Sequence, residues 1–237
     1  MKLCNYLQNV GAITCISILQ QPTFLVGNFL HFYSTINTAL LDDEDAAYDL
    51  GVILSAEEND DKMYGIPTEA IKWFKMAASK GHVDAQKELG IIMEGQESVY
   101  WLTKAYEQGD YIAGNFLAEH YLKGDGVERN EVKAFSLLDE CLRHDENIAD
   151  YLHLGECYYY GYGTNIDYSI AFKYFEKSGS ELLDDEYGLI SIDGSEFYML
   201  GLCYYYGHGV DENKEKAYEL FEKAAENGNN LAKEYLT

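Results

Sequence analysis

The sequence is poor in proline and in basic residues. Only two of its 237 residues are proline, 47% are apolar, and no break in composition separates one part of the chain from another. This composition predicts a single continuous core. With 17 basic against 41 acidic residues, the formal net charge is −24. A surface of this charge repels phosphate backbones and anionic lipids, so we expect no nucleic-acid partner.

Motifs for catalysis and cofactor binding are also missing. The chain has no S-x-x-K, G-x-S-x-G, P-loop or H-E-x-x-H motif and no dinucleotide fingerprint after a strand. Its five cysteines form no C-x-x-C pair, which argues against a zinc site. His153 and Glu156 are spaced i, i+3, but an ordinary surface hydrogen bond explains this pair better than a metal does. We therefore expect no enzyme activity, no metal and no cofactor.

Long apolar runs are absent as well. No stretch of 18 apolar residues is present, so we expect no direct membrane insertion. The odd number of cysteines favours buried free thiols in a reducing compartment, and hence a cytoplasmic protein. A disulfide stays open as an alternative, because Cys141 and Cys157 fall on successive predicted helices and could approach each other.

The N-terminal residues 1–41 form the least explained segment. Between Lys2 and Asp42 the chain carries no formal charge, and Val10–Leu19 is mostly apolar. Because the segment lacks a small-x-small cleavage motif, we interpret it as N-terminal capping helices, with 30–41 as a degenerate repeat helix. The alternative is a cleaved signal, which would make the protein an exported one.

A ten-residue phrase beginning with Leu-Gly or Leu-Ala recurs along the chain. Its two closest copies are LGECYYYGYG at 154–163 and LGLCYYYGHG at 200–209. A more diverged copy occupies 117–126, and two shorter ones open at positions 50 and 89. Internal repetition of this kind decides the architecture before any local pattern does. We call the first residue of each copy its marker leucine.

A second phrase follows each copy at a helical period. In the three clear copies an alanine lies 17 residues after the marker leucine, with large side chains three and four positions further on, as in Ala171, Tyr174 and Phe175. Two alternating helical phrases predict a hairpin made of an A helix and a B helix. The whole unit measures about 36 residues.

The two phrases also assign physical roles to their residues. Leu154 and Tyr158, at i and i+4, share one face of the A helix, and the small Gly155 lets the B helix approach closely. The G-x-G that follows supplies residues that adopt positive φ and end the A helix. An amide or carboxylate four residues before the alanine is placed to cap each B helix. These cap residues are Asn130, Asp167 and Asn213.

The combined pattern resembles the Sel1-like (Sel-one-like) repeat family, a branch of the tetratricopeptide-type helical solenoids. The motif A-x-x-x-L-G-x-x-Y-x-x-G-x-G-V, then K-A-x-x-x-F-x-K-A-A-x-x-G, is nearly complete from 197 to 228. The resemblance covers 42–237 and implies an all-α fold, a right-handed α/α superhelix of about five hairpins without a sheet. Extra residues predict an insertion within 183–195. Residues 229–237 match half an A helix and are expected to cover the last hairpin.

For binding, the resemblance implies a concave groove lined by A helices. The positions that face the ligand are counted from the marker leucine. Two of them precede it, by five and by two residues, and three follow it, by two, five and six residues. Tyrosine suits such a surface, because it offers large contact area and a hydroxyl at a low cost in rotamer entropy. The alternative is that these tyrosines pack against the neighbouring repeat. Eight residues at these positions are expected to bind the partner: Glu119, Lys123, Glu156, Tyr159, Tyr160, Tyr198, Tyr205 and Tyr206.

The resulting hypothesis is a non-catalytic protein–protein interaction scaffold or adaptor that binds a peptide or a partner protein in its concave groove. The acidity predicts a basic partner and binding that weakens with salt. The tyrosines five and six positions after the marker leucines of copies four and five should then be partly exposed in the free protein, which we expect to be a monomer. The alternative function is a hydrolase or a small-ligand binder that uses acidic groove residues such as Glu119 and Glu156.

Overall fold

A computed structural model gives the fold of the chain and describes residues 43–55, 62–63, 66–181 and 194–236. The predicted N-terminal caps, 1–41, lie outside these residues. Most of the predicted insertion, 183–193, lies outside them too. Both expectations therefore stay predictions.

Helices make up most of the described structure, because both repeat phrases place apolar side chains at helical intervals. The all-α class is thereby confirmed. None of the described helices combines the length and the apolar character needed to cross a membrane. The described residues form eleven α-helices: α1 Glu44–Ser55, α2 Thr68–Ser79, α3 Val83–Ile92, α4 Gly95–Glu107, α5 Tyr111–Lys123, α6 Glu131–His144, α7 Tyr151–Tyr160, α8 Tyr168–Glu181, α9 Ser195–Tyr206, α10 Lys214–Glu226 and α11 Asn230–Lys233.

Consecutive helices pair into the five predicted A–B hairpins, namely α1 with α2, α3 with α4, α5 with α6, α7 with α8, and α9 with α10. The chain divides into two compact units, one up to Asp110 with the first two hairpins and one from Tyr111 with the other three. One detail differs from the expectation of no sheet. In the first hairpin, which lacks the G-x-G turn, β1 Lys62–Met63 pairs with β2 Ile66–Pro67 as a short antiparallel ribbon.

In four of the five hairpins, a large B-helix side chain lies against the glycine that follows the marker leucine. A Cβ added at Gly155 would lie 2.3 Å from a ring carbon of Phe175, closer than any real contact. A side chain at this position would therefore force the two helices apart. The same contact recurs at Gly51 with Phe74, Gly90 with Leu102 and Gly201 with Phe221.

The two glycines of the G-x-G turn have different tasks. Gly161 ends α7 in the left-handed conformation, at a φ of 80°, and its N–H donates to a carbonyl one turn earlier. Gly163 lies against the B helix of the preceding repeat, where a Cβ would come within 2.3 Å of the Glu131 carbonyl oxygen. In the same way, a Cβ added at Gly209 would lie 2.1 Å from the Tyr168 carbonyl oxygen. The second glycine thus permits close packing between repeats.

The predicted caps of the B helices are confirmed. Side-chain oxygens of Asn130 and Asn213 accept hydrogen bonds of 3.0 Å from the backbone N–H groups of Lys133 and Lys216. Asp167 accepts from two backbone N–H groups at 3.0 Å. Each cap residue also donates its own N–H, at 2.9 Å, to the carbonyl of the core tyrosine on its A helix. These bonds tie the end of one helix to the start of the next.

The described cysteines are buried free thiols, as the sequence predicts. Cys141, Cys157 and Cys203 are all fully buried and form no disulfide. Burial raises the pKa of Cys157 and of Cys203, each to about 12, which keeps these thiols protonated. Cys4 and Cys15 lie outside the described residues.

The C-terminal residues pack on the last hairpin. Helix α11 contacts α10, and its Ala232 is buried. The ring of Tyr235 stacks on Phe221 with the ring centroids 4.5 Å apart. Leu236, the residue at the marker position, stays exposed, so Tyr235 covers the hairpin in its place.

We expect Gly155→Ala to destabilise the protein, because its methyl group collides with Phe175. The third hairpin carries Ala118 and Leu138 at the two equivalent positions, both fully buried. Adding Phe175→Leu should therefore recover part of the loss. Urea unfolding of the two single variants and the double variant measures this. We expect Gly155→Ala to lower the free energy of unfolding by about 1 to 3 kcal/mol. Strictly additive effects would contradict the account.

Candidate functional site

All eight residues expected to bind a partner lie on A helices of the unit that begins at Tyr111. Helices α5, α7 and α9 supply them from the third, fourth and fifth repeats. Their environments differ, so the set divides into a polar part, one buried tyrosine, two half-buried tyrosines and two exposed tyrosines. In chain order they are Glu119 and Lys123 on α5, Glu156, Tyr159 and Tyr160 on α7, and Tyr198, Tyr205 and Tyr206 on α9.

The polar part joins α5 to α7. Lys123 and Glu119, one turn apart on α5, form an ion pair. The half-buried Glu156 interacts electrostatically with both of these charges. Burial raises the pKa of Glu156, and the carboxylates of Asp150 and Glu119 add to this, whereas His153 and Lys123 oppose it. The structure thus brings the three predicted polar residues together.

This region contains a further ion pair that the sequence patterns did not predict. Nδ1 of His153 lies 2.6 Å from Oδ2 of Asp150, and Oδ1 of Asp150 caps α7 by accepting from the His153 N–H at 3.0 Å. Burial disfavours the imidazolium, but Asp150, together with Glu156 and Glu119, outweighs it and raises the pKa of His153 to about 9. The sequence interpretation paired His153 with Glu156. An aspartate three residues before a histidine at a helix start is a capping pattern that would have identified Asp150.

Tyr160 presents its ring at the surface, with 43% of the residue exposed. The ring is held from several sides. Tyr159 meets it edge-on at 4.9 Å between centroids, Tyr162 stacks at 5.3 Å, and its hydroxyl donates to Sδ of Met199 at 3.8 Å. Burial of part of the residue and the nearby Glu156 carboxylate raise the pKa of Tyr160 to about 12. The ring is therefore accessible and also fixed in place.

Tyr159 is buried, and the expectation that it is partly exposed is wrong. Only 8% of the residue is accessible. Its ring packs on Tyr168 and Phe175 of the B helix, at centroid distances of 5.2 and 6.1 Å. Its hydroxyl shares a 2.9 Å hydrogen bond with Nδ1 of His208, which comes from the following repeat. For Tyr159 the alternative interpretation, that the tyrosine packs against the neighbouring repeat, is therefore correct.

The tyrosines of α9 also differ in exposure, as Tyr159 and Tyr160 do on α7. Tyr206 is 51% exposed and stacks on His208 at 5.5 Å. Tyr205, one residue earlier, is half buried against Phe221 and Tyr218 of α10. The position six after the marker leucine thus faces solvent in both repeats, whereas the position five after it contributes to packing.

Tyr198 is joined to the others by a residue that the sequence analysis did not include. Tyr235 lies 6.2 Å from Tyr198 and 5.4 Å from Tyr205 between ring centroids, and its hydroxyl is 3.4 Å from that of Tyr206. This side chain follows α11, outside the regular repeat, so no repeat position pointed to it. We call Glu156, Tyr160, Tyr198, Tyr206 and Tyr235 the A-helix surface.

The A-helix surface combines aromatic rings with a carboxylate. Such a surface binds cationic and apolar side chains through cation–π, stacking and charge-assisted hydrogen bonds. Among the described residues, no group of three or more histidine, cysteine, aspartate or glutamate side chains is placed to hold a metal ion.

Comparisons with known proteins agree with this architecture. The model of the Sel1 repeat matches the chain five times, at 45–82, 84–110, 113–140, 150–181 and 198–229. The five matches coincide with the five hairpins. No protein with curated annotation is significantly similar to the chain.

Two solved structures share the fold. A Sel1 repeat protein from Oxalobacter formigenes is 24% identical with a TM-score of 0.57, over 86% of this chain and 58% of that one. The protein c5321, a protective antigen of uropathogenic Escherichia coli strains with an SLR fold, is 21% identical with a TM-score of 0.55. This second match covers 85% of the chain and 50% of that antigen. The chain thus spans 50% and 58% of the lengths of these two proteins, and the likeness shows the fold alone.

The Asp150–His153 pair makes stability depend on pH. The pKa of His153 is higher in the folded protein, at about 9, than the ordinary 6.5 of the unfolded chain. Its stabilisation is therefore fully present below pH 6.5 and is lost as the pH rises through 9. Unfolding free energies measured across this range should fall, by on the order of 2 kcal/mol, in the unmodified protein relative to His153→Gln.

Asp150→Asn is the matched control for this experiment, because asparagine keeps the N-cap hydrogen bond and removes only the charge. It should flatten the pH dependence as His153→Gln does. An unchanged slope in both variants would show that the pair contributes no pH-dependent stability.

Proposed function

Because the chain belongs to the Sel1 repeat family, whose members are generally protein–protein interaction scaffolds, we propose that it is a non-catalytic adaptor that binds a peptide or a partner protein on its A-helix surface. The observation that carries the proposal is the exposure of Tyr160 and Tyr206. They hold the same position in successive repeats, so a bound chain would meet them in turn as it crosses α7 and α9.

The rings are well suited to recognition, because binding restricts them little. Tyr160 is fixed by Tyr162 and by its hydrogen bond to Met199, and Tyr206 by His208 and the neighbouring Tyr235 hydroxyl. Side chains that are already ordered lose little entropy when a partner binds. Tyrosine is also among the residues that contribute most to the energy of protein interfaces.

The charge of the chain supports a basic partner. The sequence carries 41 acidic and 17 basic residues. Many of the basic side chains are already engaged, for instance Lys87 with Asp84 and Lys123 with Glu119. The excess of carboxylates attracts a cationic partner and repels nucleic acid and anionic lipid. The buried free thiols of Cys141, Cys157 and Cys203 support a reducing compartment and hence a cytoplasmic location.

We expect peptides selected on the unmodified protein from a phage-displayed random library to be rich in lysine and arginine, and to lose affinity when Tyr160 or Tyr206 is changed to alanine. Each change should cost about 1 to 3 kcal/mol, since a positioned ring is removed from the contact. Fluorescence anisotropy of the labelled peptides gives the dissociation constants. Repeating the titration at rising salt should weaken binding.

Tyr218→Ala is the matched control. Tyr218 is also an exposed tyrosine and belongs to the same repeat as Tyr206, but it lies on the B helix. It should leave the affinity nearly unchanged. Thermal melts of all three variants separate binding from folding. If Tyr218→Ala weakened binding as much as Tyr160→Ala and Tyr206→Ala, the assignment of the A-helix surface would be wrong.

A further inference from the structure

Lysine and arginine side chains lie over aromatic faces in the last three repeats. Six such contacts place the cationic group between 4.1 and 5.9 Å from a ring centroid. Two of them repeat one arrangement, in which the residue before the alanine of the B helix covers the core tyrosine of the A helix. Lys133 lies over Tyr121 and Lys216 over Tyr204, and each Nζ also donates to the tyrosine hydroxyl. Cation–π contact is thus a recurrent way for this chain to use tyrosine.

The two exposed tyrosines of the A-helix surface differ from their neighbours in this respect. Tyr162 and Tyr205 each have a cation of the chain itself over the ring, at 5.5 and 5.0 Å. No lysine or arginine of the described ranges lies over Tyr160 or Tyr206. These two exposed rings are therefore available to a cation from another molecule.

The ring of Tyr160 has a carboxylate beside it. Glu156 precedes Tyr160 by four residues, so both side chains lie on the same face of α7. The corresponding residue before Tyr206 is the buried Leu202. Glu156 is half buried, and no lysine, arginine or histidine within the described ranges forms an ion pair with it. A charge in this position has lost part of its hydration without gaining a direct counter-ion.

We propose that Glu156 and Tyr160 form a subsite for the side chain of an arginine in a basic partner. A planar guanidinium stacks on the tyrosine ring while its N–H groups donate to both carboxylate oxygens. The subsite rests on the adaptor function proposed above. It also makes the α7 part of the A-helix surface chemically different from the α9 part, so that a bound peptide has a defined direction. A bound peptide places arginine at α7 and an apolar side chain against the exposed Tyr206 ring on α9. Charge complementarity with a chain of net charge −24 supports this occupant.

The test uses two short peptides as probes, acetyl-Gly-Arg-Gly-amide and its citrulline counterpart, which has nearly the same shape and no charge. Titrations are followed by the NMR signals of ¹³C-labelled tyrosine rings. We expect the arginine peptide to shift the Tyr160 signal and to leave that of Tyr218 in place, whereas the citrulline peptide shifts neither. Glu156→Gln and Tyr160→Leu should each weaken the arginine peptide about threefold to tenfold. Tyr160→Phe, which keeps the aromatic face, should retain most of the affinity.

Several outcomes would overturn the subsite. These are an unmoved Tyr160 signal, equal binding of the two peptides, or an affinity unaffected by Glu156→Gln. Because Tyr160 is exposed, Tyr160→Leu is expected to fold even if Glu156→Gln does not. In that case the affinity of the Tyr160→Leu variant for the arginine peptide decides the test. Equal affinity of the arginine peptide for Tyr160→Leu and the unmodified protein would again overturn it.

The result separates this inference from the adaptor function. Library-selected peptides that require Tyr160 and Tyr206 but tolerate citrulline in place of arginine would retain the adaptor and remove the subsite. A Tyr160 response to the arginine peptide, in a protein that selects no peptide from the library, would retain the subsite and remove the adaptor.

Discussion

Contact between a large B-helix side chain and the small residue after the marker leucine governs the rest of the structure. In the fourth hairpin, Phe175 occupies the space that a side chain at Gly155 would need. This contact fixes the distance between α7 and α8 and also the rotation of α7 about its axis. At about 100° per residue, Tyr160 then lies roughly 140° away from Gly155 around the helix and faces solvent. The exposed tyrosines of the A-helix surface are a consequence of how each hairpin closes.

The same geometry explains what the sequence could and could not predict. The repeat phrases predicted the five hairpins, the B-helix caps and the exposure of Tyr160, because each of these depends on residues close in sequence. Tyr159 was grouped with Tyr160, yet it lies only about 40° from Gly155 around α7 and so falls beside the B helix. Its burial is completed by His208, 49 residues later, and no local pattern contains that contact. Tyr235 joins the surface from outside the repeat for a similar reason.

Electrostatics divides the charged residues of the last three repeats into two groups. Most lysines lie over tyrosine rings or pair with a carboxylate one turn away, and these contacts join the two helices of one hairpin or two residues of one helix. Asp150 and His153 neutralise each other at the start of α7. Glu156 is left half buried and without a direct counter-ion among the described residues. The local balance therefore agrees with the acidic character of the whole chain and supports the proposal that a cationic partner binds at α7.

A crystal structure of the protein with a library-selected peptide tests the central claim most directly. The account predicts that the peptide crosses α7 and α9, contacts Tyr160 and Tyr206, and leaves the B helices free. It also predicts that the packed tyrosines, Tyr159 and Tyr205, keep their positions, since they belong to the core of the repeats. A peptide bound on the B-helix side, or one that displaces Tyr159 from its contact with Phe175, would contradict the claim.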